Sequence, residues 1–238
     1  MTPKKLFLFD LDDTLFDHEH SRRLGLGGLQ RAYSELASIP LADLCAEHER
    51  QLNATYDRVL DGKVSLVDSR TERFRRLFRQ FGVDLRPAAL QDPVRHYRDD
   101  HERSRRAVPG SLPLLSYLKA YGDVGIVTNG LKAPQLEKVT VCGLDSPVDF
   151  VLTSEEVGAK KPERMIFVAA LGKAGVGPES AVFVGDSWSS DILGASGASI
   201  RAVWLNRREE PCPDPAIATE LRSYEPLDSA AEAIRGEP

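Results

Sequence analysis

The residues best equipped for chemistry are carboxylates in two short clusters, Asp10-Leu11-Asp12-Asp13-Thr14 and Gly185-Asp186-Ser187-Trp188-Ser189-Ser190-Asp191. In the first, carboxylates at i and i+2 just beyond an apolar run can both point into one strand-end cleft. Asp10 could attack phosphorus and form an aspartyl-phosphate. Asp12 could protonate the leaving oxygen and later activate water, its proton held more tightly by an ionised neighbour. A solvated turn with helix-capping aspartates fits the same letters. In the second cluster Asp186 is placed for a metal ion, with Asp191 one turn behind it to orient a ligand or a lysine. Magnesium suits so sparse a set, because it keeps waters and takes substrate oxygens beside few carboxylates. The alternative is an N-cap aspartate ahead of a helix over Asp191-Ile192-Leu193.

Two further patterns could handle a phosphate group. Thr128-Asn129-Gly130 offers a hydroxyl, an amide and a glycine that permits close backbone approach, although Asn-Gly is also a common turn. Lys160-Lys161-Pro162 places a lysine before a helix expected to start at Pro162, where its charge would add to that of the helix N-terminus. Surface lysines are common, so neither pattern is specific when taken alone.

These residues need a scaffold that brings strand ends together. Lys4 to Phe9 reads as a strand whose apolar run, Leu6 to Phe9, stops at Asp10, as expected of a central strand in a parallel sheet. Further strands are expected at Asp123–Thr128, Phe150–Thr153, Ala181–Gly185 and Arg201–Leu205. Between them, Leu114, Leu118 and Tyr121 mark one helix, opened by Pro109-Gly110. Phe167, Ala170, Leu171 and Ala174 mark another, at i, i+3, i+4 and i+7. The alternation predicts an α/β fold, a Rossmann-like parallel-sheet core, whose ligands bind at the carboxyl ends of the strands. From residue 17 to 103 the alternation stops and only amphipathic helical patterns remain, including Leu26, Leu29, Tyr33 and Leu36 despite Gly25, Gly27 and Gly28. The expected organisation is a core of residues 1–16 and 104–238 with a helical module of 17–103 inserted after the first strand. Asn206 to Pro215 is expected to be a surface loop before a last short helix.

Composition sets the remaining bounds. The chain has 238 residues and a net charge of −5, which gives no reason to expect nucleic-acid polymers or membranes as partners. Cys45, Cys142 and Cys212 are odd in number and lack a CxxC pattern, which favours free thiols and a cytoplasmic location. No stretch is long enough for a membrane span. A monomer or homodimer acting on a small-molecule phosphate ester is the expected form.

The clusters in their order resemble the four motifs of the haloacid dehalogenase superfamily: Asp10-x-Asp12-x-Thr14, Thr128-Asn129, Lys161-Pro162 and Gly185-Asp186 with Asp191. The helical insert resembles that superfamily's cap of the first type. The resemblance implies that Asp10 is the nucleophile and Asp12 the acid and base. It implies that Thr128, Asn129 and Lys161 bind phosphate, and that Asp10, the Asp12 carbonyl and Asp186 hold Mg²⁺. Dehalogenases of the superfamily lack the second aspartate, so the presence of Asp12 favours the phosphoryl-transfer branch. Thr128-Asn129-Gly130, Thr153-Ser154-Glu155-Glu156-Val157-Gly158, Ser190-Asp191-Ile192-Leu193-Gly194 and Trp204-Leu205-Asn206 are similar to noncanonical pyrimidine 5′-nucleotidases. A sugar-phosphate phosphatase, a phosphomutase and a catalytically silent binding module are the alternatives. Other tempting residues have plainer readings. His18 and His20 suit a polar hinge, and His48, His96 and His101 lack ligand spacing. Arg70 and Arg73 are expected to be solvated beside the stripe through Phe74, and Trp188 to pack rather than stack on a base.

Overall fold

The computed structural model describes residues 5–236. It divides into two compact units, Met1–Asp17 with Arg106–Pro238, and His18–Arg105. In chain order the elements are β1 (Lys5–Phe9), then α1 (His18–Ala32), α2 (Leu41–Leu60), α3 (Leu66–Gln80) and α4 (Gln91–Arg103) of the second unit. The first unit continues with α5 (Ser111–Leu118), β2 (Gly122–Thr128), α6 (Lys132–Val141), β3 (Phe150–Thr153), α7 (Ser154–Val157) and α8 (Arg164–Ala174). It closes with β4 (Ala181–Gly185), α9 (Leu193–Gly197), β5 (Arg201–Leu205), β6 (Ala218–Leu221) and α10 (Leu227–Arg235). No helix among the described residues is long and apolar enough to cross a membrane.

Among the described residues six strands run parallel in the order β3-β2-β1-β4-β5-β6, a doubly wound α/β sheet. β1 lies at its centre because its side chains are apolar on both faces. Phe7 and Phe9 pack with Leu114, Leu115 and Leu118 of α5 and Ile234 of α10. Leu6 and Leu8 face Ile166, Phe167 and Ala170 of α8 on the other side. All four are essentially sealed from water, and each contributes about 1.5–3 kcal/mol on the usual area scale. The chain leaves β1 toward β2 and β3 and returns to β4 on the opposite side. The crevice between β1 and β4 is therefore the switch point at which such sheets bind ligands.

The helical unit has its own core, in which Leu26, Leu29, Leu44, Phe74, Leu77, Phe78 and Tyr97 are buried together. The glycines of α1 serve close helix packing. A Cβ at Gly25 would stand 2.8 Å from the Tyr97 ring, and one at Gly28 only 1.9 Å from the Asp100 carboxylate. Leu36 lies in a separate short turn, beyond the end of α1 at Ala32.

Three expectations need correction. The stretch after Asn206 contains a strand, β6, at the edge of the sheet. Its side chains are half-buried or exposed, so no apolar run announces it. The helix following Lys161 starts at Arg164, not Pro162, because a turn closed by Glu163 N–H on the Lys160 carbonyl at 2.7 Å comes first. Arg73 is not solvated: it lies on the buried side of α3 at 6% exposure.

Candidate active site

The loop after β1 places the first cluster. Asp10 N–H donates to the Val184 carbonyl at 2.9 Å, tying the end of β1 to β4. The chain then turns tightly through Asp13, which has a positive φ of 60°, a conformation that aspartate tolerates better than most side chains. Thr14, fully buried, donates from its hydroxyl to Asp186 Oδ1 at 3.4 Å and so joins the first cluster to the last.

Lys161 is the hub of the site. Its Nζ lies 2.5 Å from Asp10 Oδ1 and 2.8 Å from Asp191 Oδ1, and all three groups are buried. The backbone of Lys161 is fixed by one side chain. Asn129 Oδ1 accepts from Lys161 N–H at 2.8 Å, and Asn129 Nδ2 donates to the Lys161 carbonyl at 3.0 Å. Asn129 thus acts on the lysine segment, a more definite task than a generic turn residue has. Asp191 Oδ2 accepts from Ser187 N–H at 3.0 Å. Gly185 is required beside it, since a Cβ there would stand 2.4 Å from Asp191 Oδ2. The cap of the wide turn Trp188–Ile192 is Ser187, whose hydroxyl accepts from Ser190 N–H at 3.3 Å. Asp186 is therefore free of the capping task.

Asp10, Asp186 and Asp191 bring carboxylate oxygens within 4.8 Å of one another. Burial raises the Asp10 pKa most; Lys161 opposes this, Asp191 and Asp12 add to it, and the result is about 7. Asp186 is pushed well above the carboxylate range by burial, then by Asp191 and Asp10. For Lys161, burial works against the charge, but Asp10 and Asp191 outweigh it and the ammonium is held more firmly than usual. Three close carboxylates, two of them paired with one ammonium, form a site whose charge a divalent cation would balance, with oxygen donors of the type that Mg²⁺ takes.

Asp12 points to a different set of partners. Lys138 Nζ donates to both of its oxygens, at 2.6 and 2.8 Å, and Gln135 Nε2 reaches Oδ2 at 3.0 Å. The same Gln135 amide donates to Thr128 Oγ1 at 2.7 Å. Gln135 and Lys138 thus couple Asp12 to the end of β2.

A model of haloacid dehalogenase-like hydrolases matches residues 4–199. The chain belongs to that family. A glyceraldehyde 3-phosphate phosphatase of Methanopyrus kandleri is 30% identical over 231 residues, 97% of this chain and 95% of its own. The pyrimidine 5′-nucleotidase YjjG of Escherichia coli is 30% identical over 206 residues, 85% of this chain and 87% of its own. Among solved structures, the HAD-hydrolase YfnB from Bacillus subtilis, bound to magnesium, aligns with a TM-score of 0.72 at 27% identity. The match spans 96% of this chain and 98% of that one.

The fold of this hydrolase gathers Asp10, Asp12, Thr128, Asn129, Lys161, Asp186 and Asp191 at the carboxyl ends of β1, β2 and β4 and the segment before α8. Gln135 and Lys138 are not recognisable from the sequence as site residues. Their one signal is an i, i+3 spacing on the helix that follows Thr128, which puts both on one face. A third paired group lies just after the first cluster: Asp17 accepts from Arg106 at 2.9 and 2.7 Å and from Arg207 at 3.1 Å. Trp188 packs edge-on against Trp204 with ring centroids 5.1 Å apart, as expected of a structural aromatic.

Proposed function

We propose that this hydrolase is a Mg²⁺-dependent phosphomonoesterase that works through an aspartyl-phosphate on Asp10. The observation that carries the proposal is the contact of Lys161 Nζ with both Asp10 and Asp191 inside a buried acidic cluster. A lysine pinned in this way is aimed at a phosphoryl group attached to, or attacked by, Asp10.

Asp10 attacks phosphorus in line, and Lys161 neutralises charge on the phosphoryl oxygens as it builds. Thr128 and Asn129 position the group from the end of β2, Asn129 through its hold on the Lys161 backbone. Asp12 protonates the departing alkoxide and then takes a proton from the water that hydrolyses the aspartyl-phosphate. Asp10, the Asp12 carbonyl and Asp186 are assigned to the metal, with Asp191 orienting Lys161. A bound Mg²⁺ would supply electrostatic stabilisation of the phosphoryl oxygens and keep Asp10 ionised despite its burial.

Residues 17–103 are assigned as the module that selects the leaving group, and the remainder as the catalytic core. The leading substrate class is a nucleoside 5′-monophosphate, favoured by the nucleotidase-like segments around Thr153, Ser190 and Trp204 and by the likeness to YjjG. A sugar or triose phosphate is the second reading, favoured by the likeness to the glyceraldehyde 3-phosphate phosphatase over nearly the whole chain.

The test is phosphate release from nucleoside monophosphates and sugar phosphates, each with Mg²⁺ and with EDTA. Metal-dependent release led by pyrimidine nucleotides supports the first class, and release led by a sugar phosphate supports the second. No release from any ester, with a bisphosphate-activated transfer instead, would replace the phosphatase by a phosphomutase.

A further inference from the structure

One side chain joins the first acidic cluster to the end of β2. Gln135 on α6 is 2% exposed, and its Nε2 donates to Thr128 Oγ1 at 2.7 Å and to Asp12 Oδ2 at 3.0 Å. That nitrogen carries two hydrogens, one for each acceptor, and a carboxylate oxygen only accepts, so the amide must face the site with its nitrogen. Gly130 makes the room. A Cβ there would stand 2.8 Å from Gln135 Nε2 and 3.0 Å from Cδ and Cγ. Lys138, three residues further along the same face of α6, donates from Nζ to both Asp12 oxygens at 2.6 and 2.8 Å. The same ammonium lies 5.3 Å from the centroid of the Phe16 ring. One helix thus grips Asp12 at both oxygens and Thr128 at its hydroxyl.

Packing alone does not call for an amide at this position. Gln135 Oε1 is enclosed without a partner, and an unpaired buried acceptor opposes folding. A methionine has the same length and would avoid that penalty. What accounts for the amide is the work of its nitrogen. Because Thr128 Oγ1 accepts from Gln135, its single proton must point elsewhere, and the hydroxyl becomes a donor for an oxyanion at the end of β2. The second hydrogen of the same nitrogen fixes the direction of the Asp12 carboxylate.

We infer that Gln135, with Lys138, is a positioning residue that couples phosphate binding to proton transfer. Its nitrogen aims the Thr128 hydroxyl at the phosphoryl group, and the pair holds Asp12 for the leaving oxygen. The Asp12 half rests on the phosphatase reading above, whereas the Thr128 half needs only an oxyanion to bind.

The experiment has a kinetic arm and a binding arm, both on the full-length protein with Mg²⁺. In the first, kcat/KM is measured for 4-nitrophenyl phosphate and for the alkyl phosphate that wild type hydrolyses best. Gln135→Met should lower the aryl value roughly fivefold, about the weight of one neutral hydrogen bond. The alkyl value should fall roughly fiftyfold, because a bond to a charged group is lost as well. In an Asp12→Asn background the extra alkyl loss should vanish, since a residue acting through Asp12 has nothing left to position. Equal losses on the two esters, or an alkyl-selective loss that persists without Asp12, overturn the inference. Lys138, with its side chain 15% exposed, is a second variant that threatens folding less. Lys138→Met should lose about tenfold more on the alkyl ester than on the aryl ester, and Lys138→Arg should restore most of it; equal losses here also overturn the inference. In the binding arm, calorimetry follows inorganic phosphate. Gln135→Met should raise its Kd roughly fivefold in the wild-type background and leave it unchanged in Thr128→Val. No rise in the first, or the same rise in both, overturns the Thr128 half. Failure of either arm in an active enzyme leaves the phosphatase reading standing. A wild type that releases phosphate from no ester would sink that reading and the Asp12 half with it, while the binding arm still decides whether Gln135 aims Thr128.

Discussion

Lys161 and Arg73 are buried to a similar depth, at 3% and 6% exposure, but their surroundings differ in kind. Lys161 sits between Asp10 and Asp191 at hydrogen-bond distance. The groups acting on the Arg73 charge are two tyrosines and another arginine. At the strand ends the chain supplies its own counter-charges, so that a phosphoryl group enters a field already organised around it. In the helical unit Arg73 pairs with no carboxylate among the described residues, while the buried Glu47 pairs with the exposed Arg50. The first arrangement suits a step that must be the same for every substrate.

The comparison breaks most visibly if Asp10 is dispensable. Asp10→Asn should reduce phosphate release by at least about a thousandfold, because no nucleophile remains, with the circular dichroism spectrum unchanged. Activity within tenfold of wild type would remove Asp10 from the mechanism. Next in size is Lys161→Met, which leaves Asp10 and Asp191 buried without their ammonium. Thermal unfolding should show a loss of about 3 kcal/mol or more, partly restored by Mg²⁺, and an unshifted melting curve would mean that the hub is not structural. Asp12→Asn sharpens the picture within the core. In kcat/KM, which reports the phosphorylation step and not the later hydrolysis, alkyl phosphates, which need a protonated leaving group, should lose roughly a hundredfold more than aryl phosphates, and equal losses on both would end the general-acid assignment.

The smallest expected effect concerns Asp17. Burial alone would raise its pKa, but Arg106 and Arg207 prevail and hold it below the usual carboxylate value. A depressed pKa gives stability that is present above 3.8 and lost as the pH falls through the folded value. Asp17→Asn should therefore cost about 1–3 kcal/mol at neutral pH, with the gap to wild type closing below pH 4. A gap that stays constant with pH would mean that the arginine pairing contributes nothing.

Most of the core was legible because its signals are local. Leu6 to Phe9 could hardly be anything but a buried central strand, and Asp10, Thr128 and Asp186 stand where strands end. β6 was not legible: Ala218–Leu221 has no apolar face to show and is held by its backbone pairing to β5. The start of α8 is not marked by Pro162 because the chain first makes a turn at Lys160–Glu163. Lys138 and Gln135 escaped notice because only the fold brings α6 over Asp12, 126 and 123 residues away in sequence. The burial of Arg73 is hidden for a similar reason. An apolar stripe at Phe74, Leu77 and Phe78 says which face is buried but not how wide it is, and here Ser69 and Arg73 are drawn in with it.

The central claim is a covalent phosphoryl group on Asp10, and one measurement tests it directly. Asp12→Asn, turned over with an aryl phosphate and Mg²⁺, should accumulate the aspartyl-phosphate, since its hydrolysis needs Asp12. Quenching into borohydride reduces such an acyl phosphate to homoserine, which peptide mass spectrometry can locate. The account predicts homoserine at position 10, in an amount that follows substrate and is lost with EDTA. Conversion at another aspartate, or none while phosphate is still being released, would contradict it.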